Sequence, residues 1–164
     1  MDNLSQDINM MQPTKVHLTR DGYDEIQAEL DKLRTKEPAA VERVTKAREF
    51  GDLNENSEYH AAREDLAMIQ GRLEELEDLL ARAIIIKKVR KNGVVSLGST
   101  VTVHANKSEM TYVIVGEFEA DPLKKRISAD SPLGKALIGK KVHDDVEFEA
   151  PVGKVIYTIK QINW

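Results

Sequence analysis

The chain contains no cysteine, which excludes a disulfide framework, a thiolate zinc site and a thiol nucleophile. No apolar run approaches the roughly 20 residues that a bilayer-spanning helix needs. Residues Met1–Thr14 are polar and lack the apolar centre of a secretory signal. A soluble cytoplasmic protein with no membrane partner is expected. Aromatic residues are scarce, at 5% against 32% charged, which is poor material for one compact core and points to a long, solvated helical part. A basic excess is also missing: 24 Lys plus Arg against 28 Asp plus Glu leaves a net charge of −4. A protein that coats free nucleic acid needs a basic surface, so that class is disfavoured. There is no glycine-rich phosphate loop, and His17, His60, His104 and His143 show no ligand spacing. A histidine metal centre or catalytic dyad is not expected.

What is present falls into three textures. The 164 residues are enough for one domain or two small ones, at about 100–200 residues each. Residues 1–16 are polar, patternless and contain Pro13; they read as a loose tail. Residues 19–86 have almost no Gly or Pro and are rich in Glu, Leu, Ala, Arg and Lys. Residues 92–164 hold six of the nine glycines, three of the five prolines and five of the eight aromatics. The structural class therefore changes from helical to mixed β near Lys91-Asn92-Gly93. The expected division is a tail over 1–16, a helical hairpin over 17–88 with its tip at 51–57, and a small domain over 89–164.

The middle region carries heptads. Tyr23, Ile26, Leu30, Leu33, Glu37, Ala40, Val44 and Ala47 step alternately by three and four, as do Tyr59, Ala62, Leu66, Ile69, Leu73, Leu76, Leu80 and Ala83. Two such stretches separated by one short polar break read as long antiparallel helices packed on each other. The break is Phe50-Gly51-Asp52-Leu53-Asn54-Glu55-Asn56-Ser57. Gly51 suits a C-cap, one of Asn54, Asn56 or Ser57 an N-cap, and Thr19 the N-cap of the first helix. Each apolar stripe is used by its partner helix, so the hairpin is expected to project into solvent. Some 30 residues at about 1.5 Å each give a rod of roughly 45 Å. Pro38 removes a helix hydrogen bond and should kink the first helix; the seam beside it, Glu37 and Ala40, is slim.

The last region alternates. Val101, Val103 and Ala105 form one strand pattern. A second is either Tyr112, Ile114, Gly116 or Thr111, Val113, Val115. Others start at Val146 and Phe148, and at Val155, Tyr157 and Ile159. Ser131-Pro132 opens a short helix that ends near Ile138. The fold class is α+β. Tyr112, Phe118, Phe148, Tyr157 and Trp164 lie on strand-like patterns and are read as core. Lys87, Lys88, Arg90 and Lys91 read as a solvated junction.

Chemistry concentrates at the hairpin tip. Asp52 and Glu55 lie three apart, with Glu49, Glu58 and Glu64 nearby. Carboxylate oxygens are the ligands Mg²⁺ prefers, but two cannot close a site. Such a tip is suited to completing a metal site that belongs to another protein; the plain alternative is a polar turn with capping residues. Lys46, Arg48 and Arg63 lie close by. They could meet a nucleic-acid backbone or an anionic wall, or simply pair with Glu42, Glu49 and Glu64.

The run Ala47-Arg-Glu-Phe-Gly-Asp-Leu-Asn-Glu-Asn-Ser-Glu-Tyr-His-Ala-Ala-Arg-Glu64 closely resembles the signature of the bacterial transcript cleavage factors of the Gre family, the GreA branch in particular. Leu18-Thr-Arg-Asp-Gly22 resembles that family's first-helix start. The stretch Val94 to Val103 resembles its first C-terminal strand, and Ile127-Ser-Ala-Asp-Ser-Pro-Leu-Gly-Lys-Ala-Leu-Ile-Gly139 its second signature. The resemblance covers about residues 16–164.

The resemblance implies an N-terminal antiparallel coiled-coil hairpin and a C-terminal FKBP-like α+β domain. It implies a partner, RNA polymerase, on whose secondary-channel rim the C-terminal domain docks, with Asp130, Ser131 and Pro132 at the docking turn. The hairpin then carries its tip to the active centre. There Asp52 and Glu55 match the acidic positions that share a Mg²⁺ with the polymerase and position the attacking water. Arg48 and Arg63 match basic positions near the extruded 3′ end of the nascent RNA. The protein would not be an enzyme alone: it would activate the polymerase's own cleavage of backtracked RNA and release short fragments. The isolated chain, expected to be a monomer, should bind Mg²⁺ poorly. The mixed charge around the tip favours the GreA branch over the GreB branch. Residues 1–15 have no counterpart. Two rivals remain: a secondary-channel inhibitor of the same architecture without cleavage activity, and a pure coiled-coil module or prolyl isomerase, the last requiring an exposed apolar pocket.

Overall fold

The computed structural model describes residues 14–49, 56–86, 93–105, 108–150 and 153–164. The chain divides into two compact units. One comprises Tyr23–Arg82, with Thr14; the other joins Lys15–Gly22 to Ala83–Trp164. The expected boundary at 88/89 leaves out this return of residues 15–22 to the second unit.

The first unit is a helix pair, α1 (Arg20–Arg48) and α2 (Ser57–Arg82). α1 starts where expected: the Thr19 hydroxyl accepts from the Gly22 amide at 3.0 Å, the N-cap bond. It continues through Pro38. The seam is as the heptads predict. Leu30, Leu73 and Leu76 are buried together, and Ile26, Leu33, Ile69 and Leu80 pack around them. Ion pairs bridge the two helices: Arg72–Glu29 at 2.8 Å, Arg34–Glu77 at 2.7 Å, and Arg43 to both Glu58 (2.8 Å) and Asp65 (2.6 Å). The Gln70 amide adds a bond to Glu37 at 3.0 Å. Glu29 and Arg34 pair with Arg72 and Glu77 at one end and Arg43 with Asp65 and Glu58 at the other, so the pair is antiparallel. Arg72 holds the Glu29 carboxyl below its ordinary range, chiefly by hydrogen bonding. The slim stretch past Pro38 leaves two hollows. One, about 340 Å³, lies beside Ala39 and Ala47; the other, about 290 Å³, lies beside Ala40 and Ala62. One correction concerns the stripe. Leu79, outside both heptad seams, is 4% exposed, so α2 buries a second face in its last turns.

The second unit holds two sheets. β1 (Val16–Leu18) and β2 (Ala83–Ile85) pair in parallel, Val16 facing Ala83. Neither strand was legible beforehand. The sequence pattern assigns residue 16 to the tail and 83–85 to the end of a helix, because three-residue strands carry too few positions to show a period of two. The main sheet contains β3 (Thr100–Ala105), β4 (Ser108–Val115), β5 (Arg126–Ser128), β6 (Asp145–Ala150) and β7 (Gly153–Asn163), in the order β5-β4-β3-β7-β6. All pairings are antiparallel except β4–β5. Val101, Val103, Ile114, Val146, Tyr157 and Ile159 form the core. The short helix α3 (Pro132–Leu137) adds Leu137, with Leu133 and Ala136 beside it. Of the two readings of β4, the even one holds: Met110, Tyr112 and Ile114 face this core.

A bulge resets β7. Thr102 pairs with Gln161 but Val103 with Ile159, so Lys160 is the extra residue. Inward positions move from Tyr157 and Ile159 to Ile162, a shift of parity that strict alternation does not anticipate. Among the aromatics, Tyr157 contacts Phe148 at 5.2 Å and Tyr112 at 6.5 Å between ring centroids, and Trp164 packs against the core. Phe118 does not belong with them. It lies on a single 3-10 turn, Glu117–Glu119, and is 50% exposed.

Candidate functional site

Asp52 and Glu55, with Gly51, lie outside the described residues, as do Lys87, Lys88, Arg90 and Lys91. What the structure supplies is the frame on either side of residues 50–55. Asn56 is the N-cap of α2: its Oδ1 accepts from the Tyr59 amide at 3.0 Å. Its Nδ2 reaches back across the hairpin and donates to the Ala47 carbonyl at 2.8 Å. That carbonyl is one of the last four of α1, which lack helical partners. One amide side chain therefore satisfies an orphan donor of α2 and an orphan acceptor of α1. The ends of the two helices are clasped by hydrogen bonds. Ala47, Tyr59 and Ala62 are buried beneath the clasp.

The cations around this frame take different partners. Lys46 pairs with Glu42 at 2.7 Å, and this carboxylate, mainly by hydrogen bonding, raises the lysine above its usual basicity. Its pairing is the ordinary intrahelical one. Arg48 instead lies over the Tyr59 ring, 5.8 Å from its centroid, a cation–π contact that positions the guanidinium and leaves its donors for other groups. Arg63 is exposed on α2. Among the described residues, neither Arg48 nor Arg63 forms an ion pair with a carboxylate, whereas Arg43 forms two. Glu58, first a tip neighbour by sequence, is one of its partners.

The second candidate turn lies in the other unit. Ser131 is the N-cap of α3: its hydroxyl accepts from the Gly134 amide at 3.0 Å and donates to the Ser128 carbonyl at 2.7 Å. Pro132 follows at the first helical position. Asp130 donates its own amide to the Ser128 hydroxyl at 3.0 Å. The structure thus brings Asp130, Ser131 and Pro132 together on one turn, with Asp130 and Pro132 exposed and the Ser131 hydroxyl engaged within the turn. Gly134 is required there, because a Cβ at that position would lie 2.0 Å from the Ser128 carbonyl oxygen.

Among the described residues, no three His, Cys, Asp or Glu side chains are grouped as a metal site requires. No helix among them is long and apolar enough to cross a membrane.

Residues 16–85 match the family described as "Transcription elongation factor, N-terminal", and residues 90–163 match "Transcription elongation factor, GreA/GreB, C-term". The chain belongs to the GreA/GreB family of transcription elongation factors. It is 44% identical over 153 residues to the transcription elongation factor GreA of Paracoccus denitrificans, spanning 92% of this chain and 98% of that one. To the GreA of Rhodospirillum rubrum it is 46% identical over 154 residues, again 92% and 98%. Among solved structures, GreA factor homolog 1 (Gfh1) of Thermus thermophilus aligns over 92% of this chain and 99% of its own, at 30% identity and a TM-score of 0.44. In this factor, the sequence pattern shows neither the Asn56 clasp nor the Arg48–Tyr59 contact. Asn56 was one of three cap candidates; its bond to Ala47 leaves no signal in local spacing.

Proposed function

We propose that this factor docks on RNA polymerase, enters its secondary channel and stimulates the polymerase's own cleavage of backtracked RNA. The observation that supports this most is the sequence Asp52-Leu-Asn-Glu55 next to Asn56, which clasps the ends of α1 and α2, in a chain whose two halves both match the family. In this reading Asp130, Ser131 and Pro132 form the docking turn, and the hairpin delivers residues 50–55 to the active centre.

The donor set fits a shared ion. Mg²⁺ asks for about six oxygens in octahedral geometry, and two carboxylates leave room for water and for ligands from the polymerase. When bound between the two proteins, Mg²⁺ supplies charge neutralisation at the phosphate and a more acidic water. The chain's own residues do the rest. Asp52 and Glu55 orient the attacking water and can accept its proton. Arg48 and Arg63 offer guanidinium donors to the phosphates of the extruded 3′ end. The new 3′ end then lies in register for elongation. The catalyst is the polymerase; the factor contributes the tip.

The test is a stalled, backtracked elongation complex incubated with wild-type protein, Asp52→Asn and Glu55→Gln. Wild type should release short 3′ RNA fragments. Each variant should lose roughly a hundredfold or more in cleavage rate, the scale of a lost proton-transfer group, while competing normally for the polymerase. Slowed elongation with no fragments from the wild type would overturn this reading and make the factor a channel-binding inhibitor.

A further inference from the structure

Among the described residues, Glu119 and Ser99 are the two polar or charged residues that are buried, Glu119 at 7% exposure. It sits on the 3-10 turn after β4. Its Oε2 accepts from the Thr19 amide at 2.9 Å and from the Gly116 amide at 3.2 Å, and its Oε1 accepts from the Thr19 hydroxyl. Thr19 is the N-cap of α1, one hundred residues away in sequence. A buried carboxylate is costly unless such donors and a favourable dipole surround it. Here the cap residue of a 29-residue helix supplies two of the three donors, and the helix N-terminus supplies the dipole.

The arrangement is a capping box with one member replaced. In the ordinary box the N-cap hydroxyl accepts from the N3 amide, and a Glu or Gln at N3 reaches back to the N-cap amide. In α1 the N3 residue is Gly22, which has no side chain. Its position is filled by the remote carboxylate: a Cβ on Gly22 would lie 1.8 Å from Glu119 Oε1. Gly116 is cleared in the same way, since a Cβ there would lie 2.2 Å from the His17 carbonyl oxygen. Two glycines thus make room for one carboxylate and for the strand that leads into α1.

We propose that Glu119 is a positioning residue: by completing the cap of α1 within the C-terminal unit, it anchors the first turn of α1, the helix whose far end leads to the tip. This rests on the function proposed above.

The test separates the anchor from the cap. Glu119→Ala removes both. Glu119→Ala combined with Gly22→Glu returns a carboxylate to N3, which re-forms the box within α1 but leaves the anchor cut. Three quantities are measured on the full chain: hydrogen exchange of the Thr19, Gly22 and Gly116 amides, affinity for polymerase by competition, and cleavage rate at saturating factor. For Glu119→Ala, faster exchange at Thr19 and Gly116, unchanged affinity and a cleavage rate down by roughly ten- to a hundredfold are expected, the scale of a displaced reacting group. The double variant should regain protection at the Thr19 amide without regaining cleavage. Cleavage restored by Gly22→Glu would overturn the proposal, since capping alone would then suffice. Wild-type cleavage in Glu119→Ala, or affinity falling in step with cleavage, would also overturn it. If Glu119→Ala does not fold, Glu119→Gln and Thr19→Val are read by the same criteria. A wild-type protein with protected amides that stimulates no cleavage would refute the functional reading rather than the anchor.

Discussion

Removing the Asn56 side chain should loosen the end of the hairpin by an amount that can be worked out from its two bonds. In Asn56→Ala, the Tyr59 amide loses its cap acceptor, a loss of about 1 kcal/mol. The Ala47 carbonyl loses its donor across the hairpin, which adds about 1 kcal/mol for a half-buried neutral bond. Together they come to about 2 kcal/mol, or roughly a 30-fold change in the local opening equilibrium. Asn56→Asp separates the terms. Aspartate caps as well as asparagine but has no amide to donate, so it should recover about half the loss. Native-state hydrogen exchange at the Tyr59 and His60 amides is the assay, because it reads this end of the helix pair without requiring the two units to unfold together. The His60 amide bonds to the Asn56 carbonyl at 3.2 Å and serves as the first true helical reporter. If Asn56→Ala changes exchange there by less than about twofold, the clasp does not hold the helix ends. If Asn56→Asp is as damaging as Asn56→Ala, the cap contributes nothing and the account of the two bonds is wrong.

Further perturbations address the other unit. Changes at Asp130 or Pro132 should weaken competition for polymerase while cleavage at saturating factor stays near wild type; normal affinity would remove these residues from the docking turn. Gly134→Ala should destabilise the C-terminal unit by about 1–3 kcal/mol, the range of overpacking, because its Cβ would meet the Ser128 carbonyl oxygen; an unchanged denaturation midpoint would contradict this. Tyr112 provides a pH test. Burial first, and then its Tyr157 neighbour, push its phenol from 10.0 up to about 12. The unfolded chain therefore loses this proton at lower pH than the folded one, so stability should fall as pH rises from about 10 toward 12. Tyr112→Phe should flatten that part of the profile in denaturant titrations; an identical slope in both proteins would refute it.

Much of this protein follows from short-range patterns. The heptads of α1 and α2 were readable because packing two helices repeats every seven residues, and Leu30, Leu73 and Leu76 do meet. The starts of α1 and α3 were readable because cap chemistry is local: Thr19 and Ser131 each accept from an amide three residues ahead. Alternation located β3, β4, β6 and most of β7. The candidate site divides in the same way. Asp130, Ser131 and Pro132 share a turn because they are consecutive, and Asp52 and Glu55 stand out by residue type and by family resemblance.

Other features have no local period and so could not be read. β1 and β2 are three residues each and acquire meaning only by pairing across the whole length of the hairpin. The bulge at Lys160 is defined by its partner strand, and it alone decides that Ile162 points inward. Phe118 looked like core and is half exposed, because the 3-10 turn carrying it ends the strand pattern. Asn56 was a cap by sequence; its second bond depends on where the other helix ends. Sequence alone determined the long helices, the alternating strands and which residue types could do chemistry, since those depend on neighbours within about a turn. Only the tertiary structure decided which distant groups satisfy one another. A buried carboxylate such as Glu119 must find donors wherever the fold brings them, and here two of them come from Thr19, the helix cap one hundred residues earlier.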